Sequence, residues 1–181
     1  TYVSTISEIV IQLDPGMAFG TGHHPTTKMC LQYLETNVNP GNTILELGAG
    51  SGILSITAAK LGASLVNAIE IDPMAVKACK ENVTANKVNN VVNVFHGSIP
   101  NKDIGAEPYD LIVSNISTKI ILEKLAILAG YINPGGTLIA SGIIKEHRLD
   151  IKEALMTHNL NPILVTEDGD WIAFLAVKES E

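Results

Sequence analysis

Residues 43–52 read Thr-Ile-Leu-Glu-Leu-Gly-Ala-Gly-Ser-Gly, an apolar run that passes directly into glycines at alternate positions, Gly48, Gly50 and Gly52. A second apolar run, Leu65 to Ile69, follows and ends on Glu70. Few folds accommodate both. The first run is short and continuous, as a strand buried on both faces requires. Glycines at its end let the backbone pass close to a ligand with no Cβ in the way. A carboxylate closing the next strand can accept hydrogen bonds from ribose hydroxyls. The pairing predicts an α/β chain with a nucleotide-type cofactor site.

The glycine spacing narrows the ligand. A dinucleotide fingerprint requires Gly-x-Gly-x-x-Gly, and the third of those positions is held by Ile53. Gly48-x-Gly50-x-Gly52, preceded by Glu46, suits an adenosine joined to an amino acid better than a pyrophosphate. No Gly-x-x-x-x-Gly-Lys-Ser/Thr run occurs, which excludes a triphosphate loop of that kind.

The remaining pattern alternates strands and helices, which predicts a mostly parallel sheet covered on both faces. Thr5 to Leu13 reads as a leading strand closed by Asp14-Pro15-Gly16. A helix is expected from Pro25 to about Thr36, burying Met29, Cys30, Tyr33 and Leu34. Strand Thr43–Leu47 and helix Gly52–Leu61 come next, then strand Ser64–Glu70 and a helix capped by Asp72 and reaching Ala85. Val91–Phe95 and Tyr109–Ser114 are strands, and Ile120–Tyr131 is a helix stopped by Asn133-Pro134-Gly135-Gly136. Strand Thr137–Ser141 and helix Glu146–Thr157 precede a hairpin, Ile163–Glu167 and Trp171–Val177, turned at Asp168-Gly169-Asp170. The expected fold class is therefore α/β and Rossmann-like, a seven-stranded sheet that ends in an antiparallel hairpin. Ligands of such sheets lie beyond the carboxyl ends of the strands. Gly48, Glu70, Ser98 and Asn115 all fall just past strand ends and are expected on one crevice.

Composition bounds the partners. With 181 residues and a net charge of −7, the chain is expected to form one domain, and it lacks the basic balance that drives nucleic-acid binding. Neither an apolar run of transmembrane length nor a secretory pattern is present, so no membrane association is expected. Cys30 and Cys79 stand in no metal-ligand spacing and read as buried, reduced thiols of a cytoplasmic protein. His23 and His24 are adjacent, with no third ligand spaced for them, and no metal site is expected. Glu46 is expected to organise the glycine loop or to reach the amino group of the cofactor. Trp171, Phe174 and Tyr131 read as core.

Asp14-Pro15-Gly16-Met17-Ala18-Phe19-Gly20-Thr21-Gly22-His23-His24-Pro25-Thr26-Thr27 resembles the signature block of the PrmA family of ribosomal-protein methyltransferases. That family is a branch of the class I S-adenosylmethionine-dependent methyltransferases. Glu70-Ile71-Asp72-Pro73, Ser114-Asn115-Ile116 and Ser141-Gly142-Ile143 extend the resemblance over essentially the whole chain. It implies S-adenosyl-L-methionine as cofactor, with Thr27, Gly48, Glu70 and Asn115 touching it directly. Gly50, Ile71 and Ser98 stand beside them at the strand ends. Phe19 to Gly22, hence Phe19, Gly20 and Thr21, would form a loop over the methionine moiety and the acceptor. The implied partner is a basic ribosomal protein. Two departures stand out. Ser117-Thr118 replaces the usual Leu-Ala after Asn115-Ile116, and the family's small N-terminal recognition domain has no counterpart here, as expected of a fragment or a stand-alone catalytic domain.

Methyl transfer to an amine is an in-line displacement that depends on positioning. A lysine ammonium has no free lone pair, and deprotonating it near neutral pH costs about 4 kcal/mol. Neutral acceptors must aim the free base, and Asn115 is the expected catalytic residue, both touching the cofactor and orienting the amine. The other reading of Asn115 is a cap for the following helix. Three alternatives share the residues: a small-molecule methyltransferase, a nicotinamide-dependent oxidoreductase, against which Ile53 counts, and a binding module without turnover.

Overall fold

The structure is a computed structural model that describes residues 8–14 and 22–180. Among these, helix α1 (Pro25–Asn37) leads into β1 (Thr43–Leu47), α2 (Ile53–Lys60), β2 (Leu65–Glu70), α3 (Pro73–Ala85) and β3 (Val92–His96). Next come β4 (Tyr109–Asn115), α4 (Thr118–Gly130), β5 (Ile132–Ile144), a 3-10 turn at Lys145–His147, α5 (Arg148–Thr157), β6 (Leu160–Asp168) and β7 (Trp171–Lys178). The strands form one sheet in the order β3-β2-β1-β4-β5-β7-β6. Only β7 runs antiparallel to its neighbours, inserted between β5 and β6.

The strands alternate between two apolar layers, because successive side chains point to opposite faces. Ile44, Val66, Ala68, Val113, Ile139, Ala173 and Leu175 pack with α1, α2 and α3. Leu45, Ile69, Ile112, Leu138, Ala140, Ile172 and Phe174 pack with α4 and α5. Burial on both faces explains why the central strands read as continuous apolar runs. The parity slips between Tyr109 and Leu111, where the β4–β5 register shifts.

Three expectations are corrected. The leading strand Thr5–Leu13 is not found in its described part. Residues 8–13 join no ladder, and the Gln12 backbone is held by the residue that caps the C-terminus of α3: Gln12 N–H donates to Asn86 Oδ1 at 3.0 Å, and Asn86 Nδ2 donates back to the Gln12 carbonyl at 2.6 Å. Asn133-Pro134-Gly135-Gly136 neither stops the helix nor delays the strand, because α4 ends at Gly130 and β5 already runs from Ile132 and absorbs those residues at the register shift. The helix expected from Glu146 opens as a 3-10 turn and becomes α-helical at Arg148. The hairpin turn lies where the sequence puts it, with Gly169 at φ +63°. Asp72 caps α3, its carboxylate accepting from Met74 N–H at 2.9 Å.

Candidate functional site

The strand order reverses beside β1, whose neighbours are β2 and β4, and a crevice of about 990 Å³ opens at the carboxyl ends of these strands. Gly48, Gly50, Glu70, Ile71, Ser98 and Asn115 all line it, so the convergence expected from strand order is present. Thr27 and Glu46 do not line it; both are buried. Phe19, Gly20 and Thr21 lie outside the described residues.

The loop after β1 is shaped by its glycines. Gly48 has φ +83°, and a Cβ there would sit 2.3 Å from the Ile116 Cγ2. An alanine would therefore meet both an unfavourable backbone conformation and a methyl group at the crevice wall. Gly50 donates its N–H to Glu70 Oε2 at 2.8 Å, while Glu70 Oε1 accepts from Ile71 N–H at 2.8 Å and Asp72 N–H at 2.9 Å. Glu70 thus ties the glycine loop to the start of α3. A carboxylate has about four acceptor directions, so three donors leave room for a hydroxyl from a ligand. Ile71, 70% exposed, offers an apolar face beside that carboxylate.

Glu46 is turned toward α2. Its carboxylate accepts from the Ser55 N–H at 2.9 Å and makes a short hydrogen bond with the Ser55 hydroxyl. Burial is the main force on it and pushes its pKa up to about 8, against the Ser55 hydrogen bonds and with help from Glu70. Glu46 is expected to organise the glycine loop or to reach the amino group of the cofactor; its hydrogen bonds hold Ser55, in the first turn of α2. Desolvation also raises both thiols, Cys79 to about 12 and Cys30 further, as buried inert cysteines require.

Asn115 closes β4, and its Nδ2 donates to Thr27 Oγ1 at 3.2 Å. It does not cap α4, since the N-cap position belongs to Ser117. With its amide nitrogen engaged by Thr27, Asn115 keeps its amide oxygen to offer at the crevice.

The crevice also takes in residues that the sequence did not assign to it. Trp171, expected in the core, is only part-buried and lines the crevice beside His24, the ring centroids being 5.0 Å apart with planes at 70°. The reason is directional. β7 is antiparallel, so its first residue, paired with Ile144, lies at the carboxyl edge of the parallel strands. Strand polarity was the signal that could have found it. His24 is the N-cap of α1, its Nδ1 accepting from the Thr26 N–H at 3.4 Å and lying 2.8 Å from the Thr26 hydroxyl. His147 also reaches the crevice, from the 3-10 turn, with Nδ1 3.1 Å from Asp150 Oδ2. His96 is exposed and within hydrogen-bond distance of the Ile71 carbonyl. Among the described residues no three His, Cys, Asp or Glu side chains are grouped to hold a metal ion, and no helix is long and apolar enough to cross a membrane.

Comparison with known proteins agrees with this geometry along the chain's length. The family model described as "Ribosomal protein L11 methyltransferase (PrmA)" matches residues 1–179. A ribosomal protein L11 methyltransferase of Geobacillus thermodenitrificans is 46% identical over 171 residues, covering 94% of this chain and 54% of that protein. Its counterpart in Halalkalibacterium halodurans is 43% identical over 175 residues, covering 97% and 55%. The chain therefore spans about half the length of the curated relatives it matches. A solved ribosomal protein L11 methylase from Lactobacillus delbrueckii subsp. bulgaricus superposes with a TM-score of 0.86 at 30% identity, over 99% of this chain and 91% of that one. The match runs through the glycine loop, Glu70, Asn115 and the C-terminal hairpin alike, and on it the chain belongs to the ribosomal protein L11 methyltransferase family.

Proposed function

We propose that this chain is the S-adenosyl-L-methionine-dependent catalytic part of a protein N-methyltransferase whose acceptor is an amine of ribosomal protein L11. The observation that carries the reading is the convergence of the Gly48–Gly52 loop, Glu70 and Asn115 on one crevice, in a chain matched to the family from end to end. The residues fit the cofactor. Gly48 and Gly50 present backbone without side chains, Glu70 retains acceptor capacity for ribose hydroxyls, and Ile71 and Ser98 supply an apolar face and a small polar wall for the base. Bound there, the cofactor would supply an activated methyl group on a sulfonium sulfur.

The chain's own part is to desolvate and aim the acceptor. Ile116, Ile144 and Trp171 give the crevice apolar wall. Asn115 is held by Thr27, so its amide oxygen can accept a hydrogen bond from an amine N–H and leave the nitrogen lone pair directed away from it. A neutral acceptor serves better than a carboxylate, which would stabilise the unreactive ammonium. The net negative charge suits a basic protein partner.

The test is transfer of a labelled methyl group from S-adenosylmethionine to ribosomal protein L11. Label is expected in amine groups of the protein and is expected to be lost in Asn115→Ala with cofactor binding only weakened. A chain that binds the cofactor and labels a small amine, leaving L11 unlabelled, would overturn the substrate assignment.

A further inference from the structure

Asn82 stands on α3 and does not line the crevice, and nothing in the proposed chemistry uses it. Its side chain is 2% exposed and joins two separate parts of the chain. The amide oxygen accepts the Asp14 N–H at 3.0 Å, and the amide nitrogen donates to the Ser51 carbonyl at 2.9 Å. Ser51 lies inside the glycine loop, between the glycine bound to Glu70 and the one that caps α2. Asp14 belongs to the segment 8–14, which joins no ladder and is held by side chains of Lys60, Asn82 and Asn86. At the C-cap of α3, Asn86 makes a two-way bond with the Gln12 backbone and also donates to the Asn82 carbonyl at 2.8 Å. On the other side, Lys60, the last residue of α2, donates to the Val10 carbonyl at 2.8 Å.

The two asparagines therefore divide the work. Beyond its bond to the Asn82 carbonyl, Asn86 grips the N-terminal segment. Asn82 grips that segment with one atom and the cofactor loop with another. α3 also approaches the loop closely, since a Cβ on Gly52 would lie 2.6 Å from Cys79 Sγ. An amide bonded at both ends links its two partners, because displacing it forfeits the buried hydrogen bond to the Ser51 carbonyl.

We propose that Asn82 is a positioning residue that couples docking of the segment 8–14 to the conformation of the cofactor loop, so that each favours the other. The coupling rests on the reading that this loop holds S-adenosylmethionine, and linkage requires it to act in both directions. Filling the crevice should tighten residues 10–14, and loosening those residues should weaken the ligand.

The experiment uses S-adenosylhomocysteine as probe, with calorimetric affinity and amide hydrogen exchange at residues 10–14 as paired readouts. In the unmodified chain the probe should slow exchange at Gln12 and Asp14. Asn82→Ala should bind about ten-fold more weakly, the loss of one buried hydrogen bond in the bound loop, and should show no ligand-dependent slowing. Asn82→Asp keeps an acceptor for Asp14 N–H but replaces the donor to Ser51, so it should keep basal protection at Asp14 and still lose the ligand response. Asn86→Ala should raise basal exchange at Gln12 while the response at Asp14 survives. Should Asn82→Ala fold poorly, Asp14→Pro supplies the same test from an exposed position, because it removes the N–H that Asn82 accepts, with a several-fold affinity loss expected in an otherwise unmodified chain. Unchanged affinity in Asn82→Asp, or a ligand response that survives in it, overturns the coupling while leaving the cofactor assignment intact. No binding to the unmodified chain overturns the cofactor assignment and the coupling with it.

Discussion

Replacing Gly48 by alanine tests the glycine loop through two separable costs. The backbone at Gly48 has φ +83°, a conformation that costs an L-residue about 1–2 kcal/mol. The added Cβ would lie 2.3 Å from Ile116 Cγ2. Carbon atoms settle at about 3.5–4.0 Å, so the loop or the isoleucine must move by more than ~1 Å. Overpacking of that kind costs roughly 1–3 kcal/mol, which brings the total for Gly48→Ala to about 2–5 kcal/mol. The clash has one identifiable partner, and Ile116→Ala removes it. Ile116 is half-buried, so its own truncation should cost about 1–2 kcal/mol, below the range for a fully buried isoleucine. The double variant should then be less destabilised than the sum of the singles by about 1–3 kcal/mol, the part of the cost that is steric. Urea unfolding of all four proteins, compared at constant m-value, measures this. Additivity within ~0.5 kcal/mol would refute the close approach of loop and wall, and a cost below ~1 kcal/mol for Gly48→Ala alone would refute the strained backbone as well.

Glu46 gives a pH prediction. Its folded pKa is raised to about 8, so between the ordinary carboxyl range and that value the folded chain holds a proton that the unfolded chain has released. This part of the stability falls as pH rises, and Glu46→Gln should remove that slope in urea midpoints measured from about pH 5 to about pH 8. Asp110 has the opposite sign, because the Thr43 N–H at 2.8 Å is the first of several donors that hold its pKa below the usual carboxylate range. Its contribution is complete above the unfolded pKa and is lost as pH falls through the folded one, so Asp110→Asn should flatten the acid limb of the same curves. Cys30 and Cys79, buried with raised pKa values, should both resist a thiol reagent in the folded chain and react together in denaturant; fast labelling without denaturant would contradict their burial.

The sequence disclosed most where local pattern and tertiary role coincide. The glycine loop, Glu70 and the Asp72 cap are written in contiguous residues, and α/β alternation places them on one edge of the sheet. Segment 8–14 shows the limit. Ile9, Ile11 and Leu13 alternate as a strand should, but alternation reports an extended backbone and not its partner. The partner proved to be asparagine side chains on α3, far away in sequence. Trp171 shows a second limit. A large aromatic in an apolar run reads as core, and only the antiparallel insertion of β7 brings its first residue to the crevice. The place of Asn115 at the crevice was legible from its position at a strand end. Its orientation was not, because Thr27, which fixes it, comes from α1.

The most direct test of the central claim is calorimetric titration of the chain with S-adenosylmethionine and, separately, with NAD, with Glu70→Ala as control. The account predicts saturable binding of S-adenosylmethionine, no response to NAD, and loss of binding in Glu70→Ala, which removes the carboxylate that receives the Gly50, Ile71 and Asp72 amides. Binding of NAD, or S-adenosylmethionine affinity unchanged by Glu70→Ala, would contradict it.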